Sequence, residues 1–464
     1  MAATLVRGLY PDQLEAAKAF ESWLINTEEK LGGLWASGGF GKSHMAKDFI
    51  FNIILAQTNY LPVLTSMTNS AVDILAGFTG MDVKTLHSLM GWVPMVDKDT
   101  GEEFLSTPQM RDKEAEPRLT KDMIVVVDEA GLMGHDELDL FMAALIESGA
   151  RALLIGDHKQ CYPVVKEGQE LCIPAYEATE TYFHLTVPKR VDPTDMIYKL
   201  STAARGTVDG APQPKLTTAL NSDGSGKGVR HVDDIEELAY LAFAAGVRDG
   251  NTRNIKVLAF TNIRCINLNR KIRKNVLGLS GAPTIGEEMV ANSSITDLEG
   301  EVAIRNNQLI IVKDVEPTVS YGLEGAFLQY TDSKGEDIEG TFFVPNSPAK
   351  LVERLKQMAN EAKGLKGNGF EDEAAAMWRA FYSLKEGVAD IRFTYAMTVN
   401  KAQGITLKHA LVDLYDINSC RDPGQAARLA YTAYTRPTDF LTIEGELDGS
   451  EVPKESSTIS GRQF

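Results

Sequence analysis

Cysteine is scarce in this 464-residue chain, and its four copies, Cys161, Cys172, Cys265 and Cys420, are scattered. No Cys-x-x-Cys or Cys/His spacing joins them. Neither a zinc site nor an iron–sulfur cluster is indicated, and a reducing compartment fits. Long apolar runs are missing as well. A membrane span needs about 20 apolar residues in a row, and the longest candidates here are broken by polar side chains. The opening stretch, MAATLVRGLYPDQLEAAKAF, lacks the apolar core of a signal peptide. The expectation is a soluble, cytoplasmic protein with no membrane partner. Positive charge is not in excess either: the formal net charge is −17. That excludes a whole-surface attraction to nucleic acid or anionic lipid. A local basic groove stays compatible with it, because screening confines such fields to about 8–10 Å.

What is present is ordinary globular composition, 24% charged and 44% hydrophobic with 39 Gly and 18 Pro, enough for about three domains at ~150 residues each. Residues 30–190 alternate short apolar runs with helical patterns, as parallel strands with crossover helices do. Strands are expected at LGGLWA (31–36), LPVLTSM (61–67), MIVVVDE (123–129) and ARALLIGD (150–157). A polar, Pro-bounded insertion at 92–117 carries an Asp-Thr-Gly turn at 99–101 that suits a hairpin. NSDGSGKG (221–228) reads as a flexible linker. The α/β rhythm resumes at IKVLAFTN (255–262) and a basic helix, then yields at about 285–347 to short β-rich runs like those of a small barrel. A charged helical pair at about 347–386 follows, its Trp378 expected to pack in a core, before IRFTYAM and HALVDLY return to buried-strand patterning. The last dozen residues read as a tail. The expected fold class is α/β, two α/β units each carrying an insertion.

The strongest chemical signal is LWASGGFGKSHMAK: an apolar strand, a glycine-rich turn, then Gly41-Lys42-Ser43 opening a helix. Bound triphosphate needs inward backbone N–H groups, a helix N-terminus and a lysine on the terminal phosphates, and its Mg²⁺ needs a hydroxyl, here Ser43. Gly38, Gly39 and Gly41 let the backbone approach, while Ala36 stands where the strict pattern has its first glycine. The bland alternative is a glycine turn before a helix. MIVVVDEAGLM supplies the second signal: Asp128 to hold Mg²⁺ through water and Glu129 to orient or deprotonate the attacking water. Alone, an Asp-Glu after a strand is usually a solvated loop; after a phosphate loop it points to hydrolysis of a nucleoside triphosphate.

The third signal, LLIGDHKQCYPV (153–164), completes a pattern. The chain resembles superfamily 1 helicases of the 1B branch, the RecD/Dda-like group, over nearly its whole length. The resemblance implies two RecA-like parallel-sheet motor domains: 1–91 with 118–190, and 191–284 with 387–464. It makes 92–117 a pin that splits duplex and 285–386 an SH3-like β-barrel insertion with a helical pair. It implies ATP and Mg²⁺ as cofactors, Gln13 reading adenine, Lys42 and Ser43 on the phosphates and metal, and Asp128 and Glu129 at the reaction. Gln160 becomes the γ-phosphate sensor, and Gln403 and Gly404 join the nucleotide side. Arg190 and Arg436 become arginine fingers, although each arginine taken singly is a surface or salt-bridge residue.

LTSMTNSAVDIL (64–75), VKTLHSLMGW (83–92) and AMTVNKAQGIT (396–406) resemble the family's strand-contacting motifs. Ser66, Thr68, Asn69, Thr85, Thr398 and Asn400 suit hydrogen bonds to phosphates, which position a strand without reading its sequence. Asn400 stands where relatives often have His. Lys401 adds charge, and His87 and Trp92 are candidates to stack on bases; the bland alternative is loop polarity, with His87 a core histidine. Pro94 and Phe104 fall where relatives present apolar pin residues; Phe104 packed under its own hairpin is the rival. The implied function is an ATP-driven DNA helicase moving 5′→3′ on single strands, in phage-type replication or recombination, and then in a host cytoplasm. Expected partners are single-stranded DNA and duplex junctions, with a single-strand-binding protein as a candidate and the monomer as the default state. The alternatives are a nucleotide-switched single-strand clamp, an RNA helicase of the same branch, and a motor subunit beside a partner nuclease.

Overall fold

The computed structural model describes residues 9–96, 103–163, 169–188, 192–292, 295–296, 302–305, 308–332 and 335–448. Arg190, the Asp-Thr-Gly turn at 99–101 and the expected tail lie outside the described residues. Two compact units emerge. One draws its described residues from Met1–Ile235, Asn254–Asn262 and Thr398–Phe464, the other from Glu236–Arg253 and Ile263–Met397.

The first unit contains a wholly parallel six-stranded sheet. Its order is Val83–Thr85, Leu61–Ser66, Met123–Asp128, Arg151–Gly156, Leu31–Trp35 and Thr181–His184. Helices cover both faces, which is why MIVVV reads as one apolar run rather than an alternation. The period-2 pleat still shows in the packing. Ile124, Val126, Leu153, Ile155 and Leu34 enter one core with Phe20, Trp23 and Phe49. Val125, Val127, Ala152, Leu154 and Trp35 enter the opposite core with Phe141 and Leu145. Chain order crosses sheet order between Leu31–Trp35 and Leu61–Ser66, so a crevice forms at the carboxyl ends of the central strands, where α/β sheets bind ligands.

The same unit holds five strands of a second sheet: Ile255–Ala259, Leu407–Asp413, Pro437–Glu444 and Gly228–Val232 run parallel, with Ala219–Leu220 antiparallel at the edge. The linker composition at 221–228 therefore falls on a tight connection between the last two of these strands. Its glycines stand at positive φ (Gly224, Gly226 and Gly228), which only glycine adopts without cost.

The second unit is built on antiparallel pairing. Its sheet order is Asp337–Pro345, Leu323–Asp332, Leu309–Ser320, Glu288–Ala291 and Ile391–Phe393. Register shifts at Val312/Asp314 and Leu328/Tyr330 bend the long strands. A lone bridge from Phe343 to Val388 draws the outer strand round towards Ile391–Phe393. The helical pair Pro348–Gly367 and Glu371–Gly387 packs Met358 and Leu384 on Leu323 and Phe343, while Trp378 sits half-buried, edge-on to Phe381. The basic helix occupies Asn262–Leu277, and its cations are neutralised locally. Arg264 and Lys271 pair with Glu236, and the buried Arg273 grips both carboxylate oxygens of Glu287 at 2.6 and 2.7 Å. Three of the helix's five cations, Arg264, Lys271 and Arg273, are thus held in ion pairs.

Candidate nucleotide and nucleic-acid site

The strand Leu31–Trp35 is fully buried and its continuation is the glycine-rich turn expected to serve as a phosphate loop. The Ala36 N–H bonds the Gly156 carbonyl at 3.1 Å, and its methyl joins the core, so the position that departs from the strict glycine pattern serves packing. Gly39 and Gly41 stand at φ 80° and 89°, in the left-handed region that favours glycine. This geometry turns the chain into the helix Lys42–Asp48. Lys42 Nζ donates to the Ala36 and Ser37 carbonyls at 2.7 and 3.1 Å, which holds the ammonium over the loop. Half-buried Ser43 follows in the first helical turn.

Two strands away, Met123–Asp128 ends in the acidic pair. Burial first, then the Glu129 charge, pushes the Asp128 carboxyl up to about 7, against the opposing bond from the Glu129 N–H and the charge of Lys42. Glu129 itself adopts φ 53° and ψ 35°, the left-handed region for a non-glycine residue, a strain that concentrates at working sites. An oxygen donor set of Ser43 and Asp128 is the hard chemistry Mg²⁺ prefers, and a cation there would relieve the repulsion between the two carboxyls.

On the neighbouring strand end, Asp157 opens the turn that carries Gln160. Lys159 N–H bonds Asp157 Oδ1 and Gln160 N–H bonds the Asp157 carbonyl, at 3.1 and 3.2 Å. Gln160 is buried with its Oε1 unpartnered, and Gln403 is in the same condition. A buried amide end without a partner is costly unless a ligand meets it. Since the O and N ends of a glutamine can exchange, either could present its NH₂ to a phosphate. Gln13 is also buried, and its Oε1 accepts the Tyr10 N–H at 3.2 Å.

The late part of the chain meets this edge. A Cβ built on Gly38 would lie 4.0 Å from the Thr435 Cβ, which places the corner after the helix Pro423–Tyr434 against the phosphate loop. Arg436 is buried there, its guanidinium donating to the Thr432 carbonyl, Thr435 Oγ1 and the Ile405 carbonyl at 3.1, 2.8 and 3.5 Å. Gly404 stands at φ 80°, and a Cβ there would lie 3.6 Å from Glu129 Oε1 and 3.9 Å from Thr68 Oγ1. Three residues that sequence reading passed over complete the edge. Arg205 pairs with Asp157 at 2.5 Å, Arg428 donates to the His158 and Gln160 carbonyls at 2.6 and 3.2 Å, and Tyr431 joins the first of these pairs. Tyr431 lies in LAYTAYTRPTD, the segment that carries Arg436, whereas no local motif marks Arg205 or Arg428.

The expected strand-contacting residues divide. Ser66 is buried and its hydroxyl donates to the Asp128 carbonyl at 3.1 Å. Thr68 caps the helix Asn69–Thr79, and Thr85 caps Leu86–Met90, each accepting a backbone N–H. A capping hydroxyl uses its acceptor side and keeps its proton to donate. Asn69, Thr398, Asn400 and Lys401 are half-buried at helix starts nearby. His87 pairs with Glu137 at 2.9 Å and meets Trp92 edge-on at 5.6 Å, and Trp92 is only 5% exposed, a placement that suits packing more than base stacking. The insertion forms an antiparallel hairpin, Val93–Val96 on Glu103–Ser106, with Met95 opposite Phe104 and Pro94 opposite Leu105. Val93, Pro94, Met95 and Phe104 are exposed, whereas Leu105 packs inward.

A family profile described as an AAA domain matches residues 8–224. The chain is 23% identical over 449 residues to the ATP-dependent DNA helicase dda of Enterobacteria phage T4, covering 92% of this chain and 98% of that one. Among solved structures, one of two coordinating Pif1 helicases at forked duplex DNA matches at 15% identity and a TM-score of 0.49, over 95% of this chain and 92% of that one. The Pif1 helicase from Candida albicans matches at 16% identity and a TM-score of 0.44, over 96% of both chains.

Proposed function

We propose that this chain, a superfamily 1B helicase of the Dda-like kind that hydrolyses ATP and acts on DNA, travels 5′→3′ on single strands and splits duplex at junctions. Its service is phage-type replication or recombination. The observation that carries the reading is Gly404, which brings a late segment against both Glu129 and Thr68. A strand lying over Thr68, Thr85 and the Thr398–Lys401 turn would press on the segment that borders the catalytic carboxylate. Hydrolysis is then expected to respond to occupancy of that track. The exposed apolar side chains of the hairpin, Met95 and Phe104 foremost, suit contact with unpaired bases at a junction.

The chemistry follows from the residues in place. Lys42 exchanges the loop carbonyls for the β- and γ-phosphates. Ser43 and Asp128 would hold Mg²⁺, which would neutralise charge on the phosphates. Glu129 orients the attacking water and accepts its proton, Gln160 reads the γ-phosphate, and Arg436 meets charge developing on it. Arg190 is the second finger in this proposal.

The test is ATP turnover with and without oligo-dT, together with unwinding of 5′-tailed and 3′-tailed duplexes. Turnover should rise with oligo-dT, and only the 5′-tailed duplex should open. Slow hydrolysis that oligo-dT leaves unchanged would instead identify a nucleotide-switched clamp. Opening of 3′-tailed duplex alone would reverse the polarity.

A further inference from the structure

Tyr431 lies inside the helix Pro423–Tyr434 and is 1% exposed. Its hydroxyl donates to Asp157 Oδ2 at 2.6 Å and accepts from the Arg205 guanidinium at 2.8 Å. Ser37 Oγ stands 2.7 Å away, and with the phenol proton on Asp157 it is Ser37 that donates. A phenol offers one donor and two acceptor positions, so every one is used. A buried tyrosine ordinarily needs a single partner. Here three partners come from three segments: the phosphate loop, the turn that carries Gln160, and the helix Met196–Val208.

We propose that Tyr431 is a positioning residue for ATP hydrolysis, a latch that sets the spacing between the phosphate loop and the Thr435–Arg436 corner. The proposal rests on the helicase reading. Ser37 and Gly38 are adjacent, and a Cβ added at Gly38 would lie 4.0 Å from the Thr435 Cβ, so the loop runs close to that corner. A shift of the phosphate loop is therefore felt at the phenol, and through one helical turn at Arg436. Asp157 fixes the same oxygen to the Gln160 turn, so the γ-phosphate sensor and the finger move together. Arg205 keeps Asp157 ionised in the interior, which makes the phenol bond charge-assisted and directional.

Tyr431→Phe removes only the oxygen. It keeps the ring and the Arg205 guanidinium over it at 5.4 Å, and Asp157 keeps Arg205 and the Lys159 N–H. The experiment measures steady-state turnover against ATP concentration with oligo-dT, and the thermal midpoint, for wild type, Tyr431→Phe, Arg205→Lys and the double variant. Tyr431→Phe should lower kcat roughly ten- to a hundredfold, the worth of a hydrogen bond to a charged group. The KM for ATP should stay within about twofold and the midpoint within ~2 °C. Arg205→Lys should reproduce the defect, and the double variant should lose no more than the worse single, because both act through one oxygen. A kcat near wild type in Tyr431→Phe, a loss that tracks a lowered midpoint, or additive losses in the double variant would each overturn the latch. Absence of DNA-stimulated turnover in the wild type would overturn the helicase reading itself, and the latch with it.

Discussion

Side chains around the phosphate loop and side chains on the hairpin Val93–Val96/Glu103–Ser106 depart from ordinary burial in opposite directions. In the first region polar groups are interior: Asp157, Gln160, Gln403, Arg428 and Arg436 are all buried. In the second, apolar groups face solvent: Val93, Met95 and Phe104 are 44%, 41% and 38% exposed. Among the buried polar groups, Gln160 and Gln403 each leave an amide oxygen unpartnered, a cost that a bound ligand would relieve. Asp157 and Arg428 are tied to side chains and backbone from distant parts of the chain, so a substitution there should reach several partners at once. The exposed hairpin residues pair across the two strands, Met95 with Phe104 and Pro94 with Leu105, so a substitution there is expected to stay local. Substitutions in the two regions are therefore expected to separate ATP turnover from strand separation.

The sharpest way to break that contrast is Lys42→Ala. It should remove turnover by roughly 10³-fold or more, with circular dichroism and thermal midpoint close to wild type. Undiminished turnover would withdraw the phosphate-loop assignment. Arg436→Ala comes next, with an expected loss of ~10³-fold in turnover, the scale of an arginine finger. Nucleotide affinity, read by fluorescence of a labelled analogue, should be retained. A parallel fall in affinity and turnover would make Arg436 structural, anchored by its bonds to Thr432, Thr435 and Ile405. Phe104→Ala should have the smallest effect on chemistry: DNA-stimulated turnover within about twofold of wild type, but impaired strand separation. Unchanged unwinding would reduce the hairpin to an appendage.

The sequence was most legible where function demands residues close together in the chain. The run from Trp35 to Ser43, the pair Asp128-Glu129 and the turn to Gln160 each sit where a parallel strand ends, because backbone geometry must aim N–H groups and carboxylates at one crevice. The strands at 31–35, 61–66, 123–128 and 151–156 lie within the expected runs, each a residue or so shorter. Less was legible in IRFTYAM, which reads as one strand but forms two, Ile391–Phe393 and Ala396–Thr398. A buried apolar run carries no mark of where pairing switches. The acidic partners of the basic helix, Glu236 and Glu287, lie outside it, so its composition alone does not reveal these pairs.

Local order of residues, then, was sufficient for a glycine-rich turn between strand and helix, an acidic pair at a strand end and the α/β class, since strand patterning and glycine conformations act over a few residues. Arg205, Asp157 and Tyr431 belong together for a different reason. Hydrogen bonding and charge pairing in a dry interior depend on distance in space, and Tyr431 stands 274 positions from Asp157. Only folding brings such groups within 3 Å, and no spacing along the chain foretells it.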